Sequence, residues 1–248
     1  MIRLAHICRH PIKSIGFEEL ASASLTKGRA LPFDREWAVA HDAAKFEQLA
    51  EWAPKMNFLR GVAGPELMAI HAQFDEAARR ITLTHPKAGS LTLAPDTDGA
   101  MLIDWLRPLW PADRPAPARL CHVPGQALTD VPEPFVAVLN MASNHDLGQR
   151  IGKDLSRHRW RGNLWLEGLG AWEEWELLGR TLRVGGAELQ VQERITRCKA
   201  TTVNPETGVS DADTLGALNS FFGHQDFGLY AMVTQSGPIA LGDPVEVL

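Results

Sequence analysis

Short alternating runs of apolar and polar residues, separated by turn formers, dominate residues 2–95, with β-type segments at 2–8, 35–41, 68–72, 80–84 and 90–93. Period-two alternation places one face of each segment in a core, so the chain is expected to begin all-β. The period changes at 98–107, where Leu102, Trp105, Leu106 and Leu109 fall at helical spacing and Asp98 stands at an N-cap position. Pro108, Pro111, Pro115 and Pro117 follow within ten residues, and their fixed φ angles favour an extended connector over more helix. A domain boundary is expected there, giving domains 1–115 and 116–248.

The second half resumes with strands at 118–123 and 134–139, then a helix running from 140–143 through Ile151, with Leu147 and Ile151 four apart. Ser143 followed three residues later by Asp146 resembles a capping box, which would leave that helix start with free N–H groups pointing outward. Further strands are expected at 163–166, 181–184, 188–193 and 201–203, with Gly185-Gly186 as a hairpin turn. A short helix capped by Asp211 or Asp213 carries Leu215, Leu218 and Phe222 on one face and stops at Gly223. Residues 231–234 and 244–248 read as the last strands. The pattern contains no internal repeat and no coiled coil.

Composition narrows the class. Hydrophobic residues make up 45% and charged residues 22%, which is ordinary globular usage and excludes collagen-like and wholly disordered chains. The formal net charge of −5 gives no general attraction for nucleic acid. The longest clear apolar run, residues 135–139, is far short of the ~20 needed to span a bilayer, and Arg3, His6 and Arg9 interrupt the N-terminal apolar stretch where a signal peptide would be continuous. A cytoplasmic chain without a membrane partner is expected. Cys8, Cys121 and Cys198 are odd in number and widely spaced, which fits reduced thiols better than a disulfide framework. The nine histidines show no zinc-protease spacing, and there is no phosphate-binding loop or dinucleotide fingerprint, so intrinsic ATP or nicotinamide binding is not expected and pyridoxal phosphate is not required.

The most informative chemistry lies at 194–208. Cys198 sits between Arg197 and Lys199, and neighbouring cations favour the thiolate form needed for attack or metal ligation. Inside a regular strand, however, both cations would point to the opposite face from the thiol. Asn204-Pro205 with Gly208 three residues on makes a tight turn after it. On these grounds alone a free cysteine is more often a small buried hydrophobe.

The string Arg197-Cys198-x-x-Thr201-Thr202-Val203-Asn204-Pro205-x-Thr207-Gly208 resembles the signature of the MOSC domain family, most closely the branch that contains the mitochondrial amidoxime-reducing component and bacterial relatives. His10-Pro11-Ile12-Lys13-Ser14, Asp34-Arg35-Glu36-Trp37, Arg161-x-Asn163 and Gly242-Asp243-Pro244-Val245 resemble further motifs of that branch in the same order. The resemblance implies a mainly β (α+β) chain: an N-terminal MOSC-type β-barrel domain followed by a MOSC β-barrel domain with a few short helices. It also implies a molybdenum cofactor (Mo-molybdopterin) held between them, with Cys198 as the metal ligand and catalytic residue. A thiolate suits that role as a soft, charged donor.

Around such a cofactor, Lys13, Arg35 and Arg161 would hold its phosphate, Ser14 and Ser143 would donate hydroxyl bonds, Asn163 would meet the pterin edge, and Thr196 and Arg197 would touch it beside the metal. Arg157 and Arg159 are expected in a solvated loop, and Trp172, Trp175 and Phe227 in the core. One departure is Lys45-Phe46-Glu47-Gln48-Leu49, where many relatives have a T-x-R-Q segment, so any contact made by that arginine is not carried over. The implied activity is reduction of N-hydroxylated compounds such as amidoximes, hydroxylamines or N-hydroxylated bases. No cluster of four cysteines is present to hold an iron–sulfur centre, so the electrons are expected from a separate ferredoxin-like, cytochrome or flavin-reductase partner. Two other classes remain open: a cofactor or sulfur carrier using a Cys198 persulfide, and cysteine hydrolysis assisted by a histidine such as His224.

Overall fold

The computed structural model describes residues 1–248. The first half contributes β1 (Arg3–Arg9), β2 (Glu18–Leu20), β3 (Ser22–Leu25), β4 (Trp37–His41), β5 (His71–Asp75), β6 (Arg80–His85), β7 (Gly89–Leu93), α1 (Gly99–Leu106) and β8 (Pro117–His122). In β6 the alternation works as the sequence implies. Ile81 and Leu83 enter the core, while Thr82 and Thr84 face out and share hydroxyl hydrogen bonds with Thr92 and Ser90 of β7 at 2.9 and 3.1 Å. The helix α1 buries Leu102, Ile103 and Leu106. Asp98 precedes it but does not cap it, because its carboxylate accepts instead from the Ala94 N–H and the Thr97 hydroxyl.

The second half adds β9 (Val136–Asn140), α2 (Met141–Ile151), β10 (Leu164–Glu167), β11 (Thr181–Val184), β12 (Ala187–Thr196), α3 (Thr214–Phe222), β13 (Asp226–Gln235), β14 (Gly237–Ala240) and β15 (Val245–Val247). Eight strands form one sheet in the order β15-β11-β12-β13-β9-β10-β1-β2, antiparallel except for the β9–β10 pair. Every residue of β9 is buried: Val136 and Val138 enter the large core, and Ala137 and Leu139 a second core under α2 and α3. The Gly185-Gly186 turn joins β11 to β12, and α3 is capped by Asp213, whose Oδ1 accepts from the Gly216 N–H at 2.9 Å.

The two halves are interleaved. Strand β1 lies in the large sheet of the second half, and β3 pairs with β14. After the proline-rich connector, β8 returns to pair with β4, so a cut at 115/116 would separate two bonded strands. No helix is long and apolar enough to cross a membrane.

Several local expectations are corrected. The strand expected at 68–72 begins only at His71, because Pro65–Ala69 is a 3-10 turn. Residues 201–203 do not form a strand: Lys199–Thr202 is a 3-10 turn, because the Thr201 and Thr202 hydroxyls donate back to the carbonyls of Cys198 and Lys199 at 3.1 and 2.9 Å. Cys198 therefore stands beyond the end of β12, outside the strand alternation that would have turned its neighbours away from it. Ser143 is not an N-cap either. Asn140 caps α2 by accepting from the Ala142 N–H, which places Ser143 inside the helix.

Candidate functional site

A cleft between the two halves is lined by Lys13, Ser14, Arg35, Arg161, Asn163, Thr196, Arg197 and Cys198, all expected at a site. It is also lined by Lys55, Arg60, Asp130, Arg159 and Tyr230, which the sequence reading did not single out as site residues. Its walls carry seven cationic side chains against two carboxylates, Asp34 and Asp130, a strong local excess of positive charge in a chain that is negative overall. Ser143 is elsewhere: it is wholly buried, donates to Glu174 Oε2 at 2.6 Å and accepts from the Trp172 N–H.

Three cleft residues, Ser14, Arg35 and Arg161, adopt the left-handed conformation, with φ of 62°, 51° and 50°. Such backbone strain persists only where surrounding bonds over-determine it. Arg35 shows how: its N–H donates to the His10 carbonyl, its own carbonyl accepts from Leu128, and its guanidinium donates to the Arg161 carbonyl at 2.7 Å across the cleft. Arg161 answers by donating to the Gly16 and Ile12 carbonyls at 3.1 and 3.4 Å. Beneath them, Asp34 accepts from the His10 backbone N–H at 2.8 Å and pairs with Arg35. Burial opposes ionisation of Asp34, but Arg35 and His10 more than offset it, and its carboxyl stays well below the usual carboxylate range. Burial, then Arg35 and Arg161, hold His10 as a neutral imidazole.

Lys13 is only 3% exposed and its Nζ contacts Asp130 Oδ1 at 2.5 Å; Lys55 approaches the other oxygen at 3.4 Å. Burial pushes Lys13 down to about 8 despite that partner, and the two lysines take the half-exposed Asp130 down to about 2 against its partial desolvation. Because the folded value lies below the ordinary 10.5, charged Lys13 costs stability at neutral pH, and the cost fades as pH rises from about 8 to 10.5. For ligands the sign reverses. Sulfate, whose charge is constant over this range, should bind more weakly as pH rises through about 8, and Lys13→Arg should remove that step. Titration calorimetry at several pH values checks it; an identical pH profile in Lys13→Arg would remove Lys13 from the anion site.

Arg197 and Arg159 frame the cysteine. Arg197 donates Nε to the Phe227 carbonyl at 2.7 Å and Nη1 to the Trp160 carbonyl at 2.9 Å, while its Nη2 is buried without a partner. Burial pushes it down to about 10, so it remains a cation at neutral pH. Gly228, at φ 79°, makes the room: a Cβ there would lie 3.1 Å from Arg197 Nη2 and 2.8 Å from the Leu139 side chain. Arg159, expected in solvent, is 2% exposed. The 157–161 run is a 3-10 turn locked by Trp160 stacking on Phe227 at 3.9 Å, and this turns Arg159 inward to donate to the Thr201 carbonyl and to Asp211. Arg157 pairs with Glu19 outside the cleft. Phe227 is core, as expected.

Cys198 is exposed, whereas Cys8 and Cys121 are buried. Its carbonyl accepts from the Thr201 N–H and hydroxyl, and the Asn204–Gly208 turn beyond it closes with the Gly208 N–H on the Asn204 carbonyl at 2.9 Å. Gly208, at φ 70°, presses this turn against Glu66 of the first half, 2.9 Å from where a Cβ would stand. Thr196 spends its hydroxyl on Asp226 at 2.7 Å. Asn163 lines the cleft but serves the fold: its Oδ1 accepts from Ala137 N–H at 3.0 Å and its Nδ2 donates to the Cys8 carbonyl at 3.2 Å, joining β9 to β1. Tyr230, the only tyrosine in the chain, stacks on Phe135 on the cleft wall, with ring centroids 5.0 Å apart.

Residues 1–102 match the MOSC N-terminal beta barrel domain and residues 126–246 the MOSC domain. The chain is 33% identical over 129 residues to mitochondrial amidoxime-reducing component 1 of Mus musculus, covering 46% of this chain and 36% of that protein. It is 32% identical over 124 residues to mitochondrial amidoxime reducing component 2 of Bos taurus, covering 44% and 36%. The matched stretch thus spans about a third of the length of these relatives. Among solved structures, YiiM from Geobacillus stearothermophilus aligns with a TM-score of 0.35 at 21% identity over 46% of this chain and 53% of that one. The YUAD protein of Bacillus subtilis aligns with a TM-score of 0.47 at 11% identity over 100% and 96%. Scores this low bear on nothing beyond the domain matches, which leave only 103–125 and the last two residues uncovered. The chain belongs to the MOSC family, a MOSC N-terminal β-barrel domain followed by a MOSC domain.

Proposed function

We propose that this chain is a molybdenum-cofactor-dependent oxidoreductase that reduces N-hydroxylated compounds, with Cys198 as the metal ligand. The observation that carries the reading is the exposed Cys198 thiol on the wall of a cleft whose cations outnumber its carboxylates, with the Arg197 Nη2 and Arg159 Nε atoms buried and unpartnered. An orphaned guanidinium donor and an unbalanced positive wall fit an anionic, phosphate-bearing group, and a thiolate fits a soft metal. Similarity to the amidoxime-reducing components supports the substrate class.

Bound there, the cofactor would supply the two-electron chemistry in which N–OH, two electrons and two protons give N–H and water. The chain's own residues hold and orient it. Cys198 provides the thiolate; Lys13, Arg35, Arg161 and Arg197 supply the field that retains the phosphate; Ser14 lies on the same wall with a free hydroxyl; the stacked Phe135 and Tyr230 add aromatic surface to the lining for substrate. Electrons are expected from a separate donor protein, because the chain lacks a nicotinamide fingerprint and four-cysteine iron–sulfur ligation.

The purified chain should contain molybdenum and pterin near one per chain, reduce a hydroxylamine with a reduced viologen dye, and show negligible turnover with NADH alone. Metal-free protein carrying cyanide-labile sulfur on Cys198 would instead identify a sulfur carrier. Robust NADH-driven reduction, with contaminating reductases excluded, would overturn the need for a donor protein.

A further inference from the structure

A second group of metal-type donors lies outside the cleft lining, at the Arg157–Trp160 turn. Cys8 on β1 and Glu19 on β2 are direct cross-strand partners, so their side chains share a face of the sheet. His158 descends on them from the 3-10 turn Arg157–Trp160. The Cys8 thiol, a Glu19 carboxylate oxygen and a His158 ring nitrogen all lie within 4.8 Å of one another. We propose that Cys8, Glu19 and His158 form a divalent metal site of the zinc type, distinct from Cys198 and its cleft.

The donor set argues for the class of ion. Thiolate, imidazole and carboxylate together suit a borderline-soft ion such as Zn2+, whereas Mg2+ or Ca2+ would demand oxygen ligands. The site is also partly assembled. His158 Nε2 already lies 2.9 Å from Glu19 Oε1, and Phe17 stacks on the His158 ring at 4.1 Å, which fixes the imidazole plane. His6 Nδ1 lies 3.4 Å from the other Glu19 oxygen and would hold the ligating carboxylate in place. The second imidazole nitrogen of His158, Nδ1, is buried and has no partner. Cys8 is 1% exposed, and burial with the nearby Glu19 charge pushes its thiol up to about 12; a bound cation would stabilise the thiolate that this setting otherwise disfavours.

Besides the burial of Cys8, Arg157 opposes an ion and defines what must move. It donates to the same Glu19 carboxylate and also lies against the Cys8 thiol, so a divalent cation would take the place of its guanidinium. The Arg157 side chain is partly exposed and can turn to solvent. An ion could approach from one side: Glu19 and His158, though not the buried Cys8, also line a surface groove with Phe17, Glu18, His71 and Gln73. Three protein ligands is one fewer than a structural zinc site uses, so water would complete a tetrahedral set.

Cobalt provides the test, since Co2+ reports thiolate ligation by a charge-transfer band and tetrahedral geometry by its visible spectrum. Difference spectra of the purified chain titrated with Co2+ should develop both, and Zn2+ should displace them. The spectrum should persist in Cys198→Ser and vanish in Cys8→Ser. His158→Gln should weaken Co2+ at least about tenfold, and Arg157→Ala should tighten it by about as much. Circular dichroism establishes that each variant is folded, and if Cys8→Ser is not, His158→Gln decides alone. Absence of a thiolate band in the wild type, a band that follows Cys198 instead of Cys8, or unchanged affinity in His158→Gln would overturn the proposal. None of these outcomes touches the cleft reading, which has its own cysteine.

Discussion

Cys198→Ala should purify as a folded chain and reduce hydroxylamines no faster than buffer. Because the thiol is exposed and makes no side-chain hydrogen bond that the fold uses, its loss should change stability by less than about 0.5 kcal/mol. Changing a residue that merely orients a metal ligand typically costs 10–100-fold, so removing the ligand itself should cost more than about 100-fold in turnover. Cys121→Ala is the matched control: that thiol is buried against Ala38 and Val123, away from the cleft, so any effect should fall on stability and leave turnover per bound cofactor unchanged. Molybdenum content separates two ways for Cys198→Ala to fail. Empty protein means the thiolate contributes to retention; loaded but inactive protein means it acts on the metal alone. Wild-type turnover with full loading would refute the ligand assignment.

How far the sequence discloses this site depends on which interactions are local. Cys198, Arg197, Lys13 and Arg35 were legible because ordered motifs announce them, and the cleft does bring them together from both halves. Ser143 misled because a Ser-x-x-Asp spacing and an Asn three residues earlier both offer a cap; the winner is Asn140, at the end of a fully buried strand. Arg159 misled for a different reason. A basic run reads as solvated when only its charge is counted, and the inward turn is set by Trp160 stacking on Phe227, a contact 67 positions away in the chain. The Thr201-Thr202 pair is β-branched and reads as strand, yet each hydroxyl finds a carbonyl three residues back and closes a 3-10 turn. That turn is what lifts Cys198 out of β12. Strand order is the least legible layer: nothing local tells β8 to return to β4, or β1 to join a sheet built mainly from the second half.

Lys13→Ala should cost more cofactor than any other single cation in the cleft, because it also unmasks an anion. Lys13 and Lys55 now neutralise Asp130, which occupies part of the cationic wall as an internal carboxylate. Remove Lys13 and a half-exposed carboxylate with a lowered pKa is left with only the equally exposed Lys55 beside the place an incoming phosphate must take. Loss of a charge-assisted bond is worth ~1.5–3 kcal/mol, or about 10–150-fold in affinity, and repulsion from Asp130 adds to it. Arg161→Ala removes a cation without exposing an opposing charge, so its effect should stay within that range. The double variant distinguishes the two contributions. Asp130→Asn in the Lys13→Ala background should recover much of the lost retention, and Asp130→Asn alone should hold anions at least as tightly as the wild type; their difference is the coupling energy of the pair. Arg107→Ala, on the surface beside Asp104, serves as the charge-matched control and should retain full pterin. The readout is pterin per chain after dialysis, with sulfate affinity measured on the same variants so that cofactor loss and loss of anion binding are compared directly. Equal losses in Lys13→Ala and the double variant would show that Asp130 does not compete for the cradle, and full retention in Lys13→Ala, Arg35→Ala and Arg161→Ala alike would show that the cradle lies elsewhere.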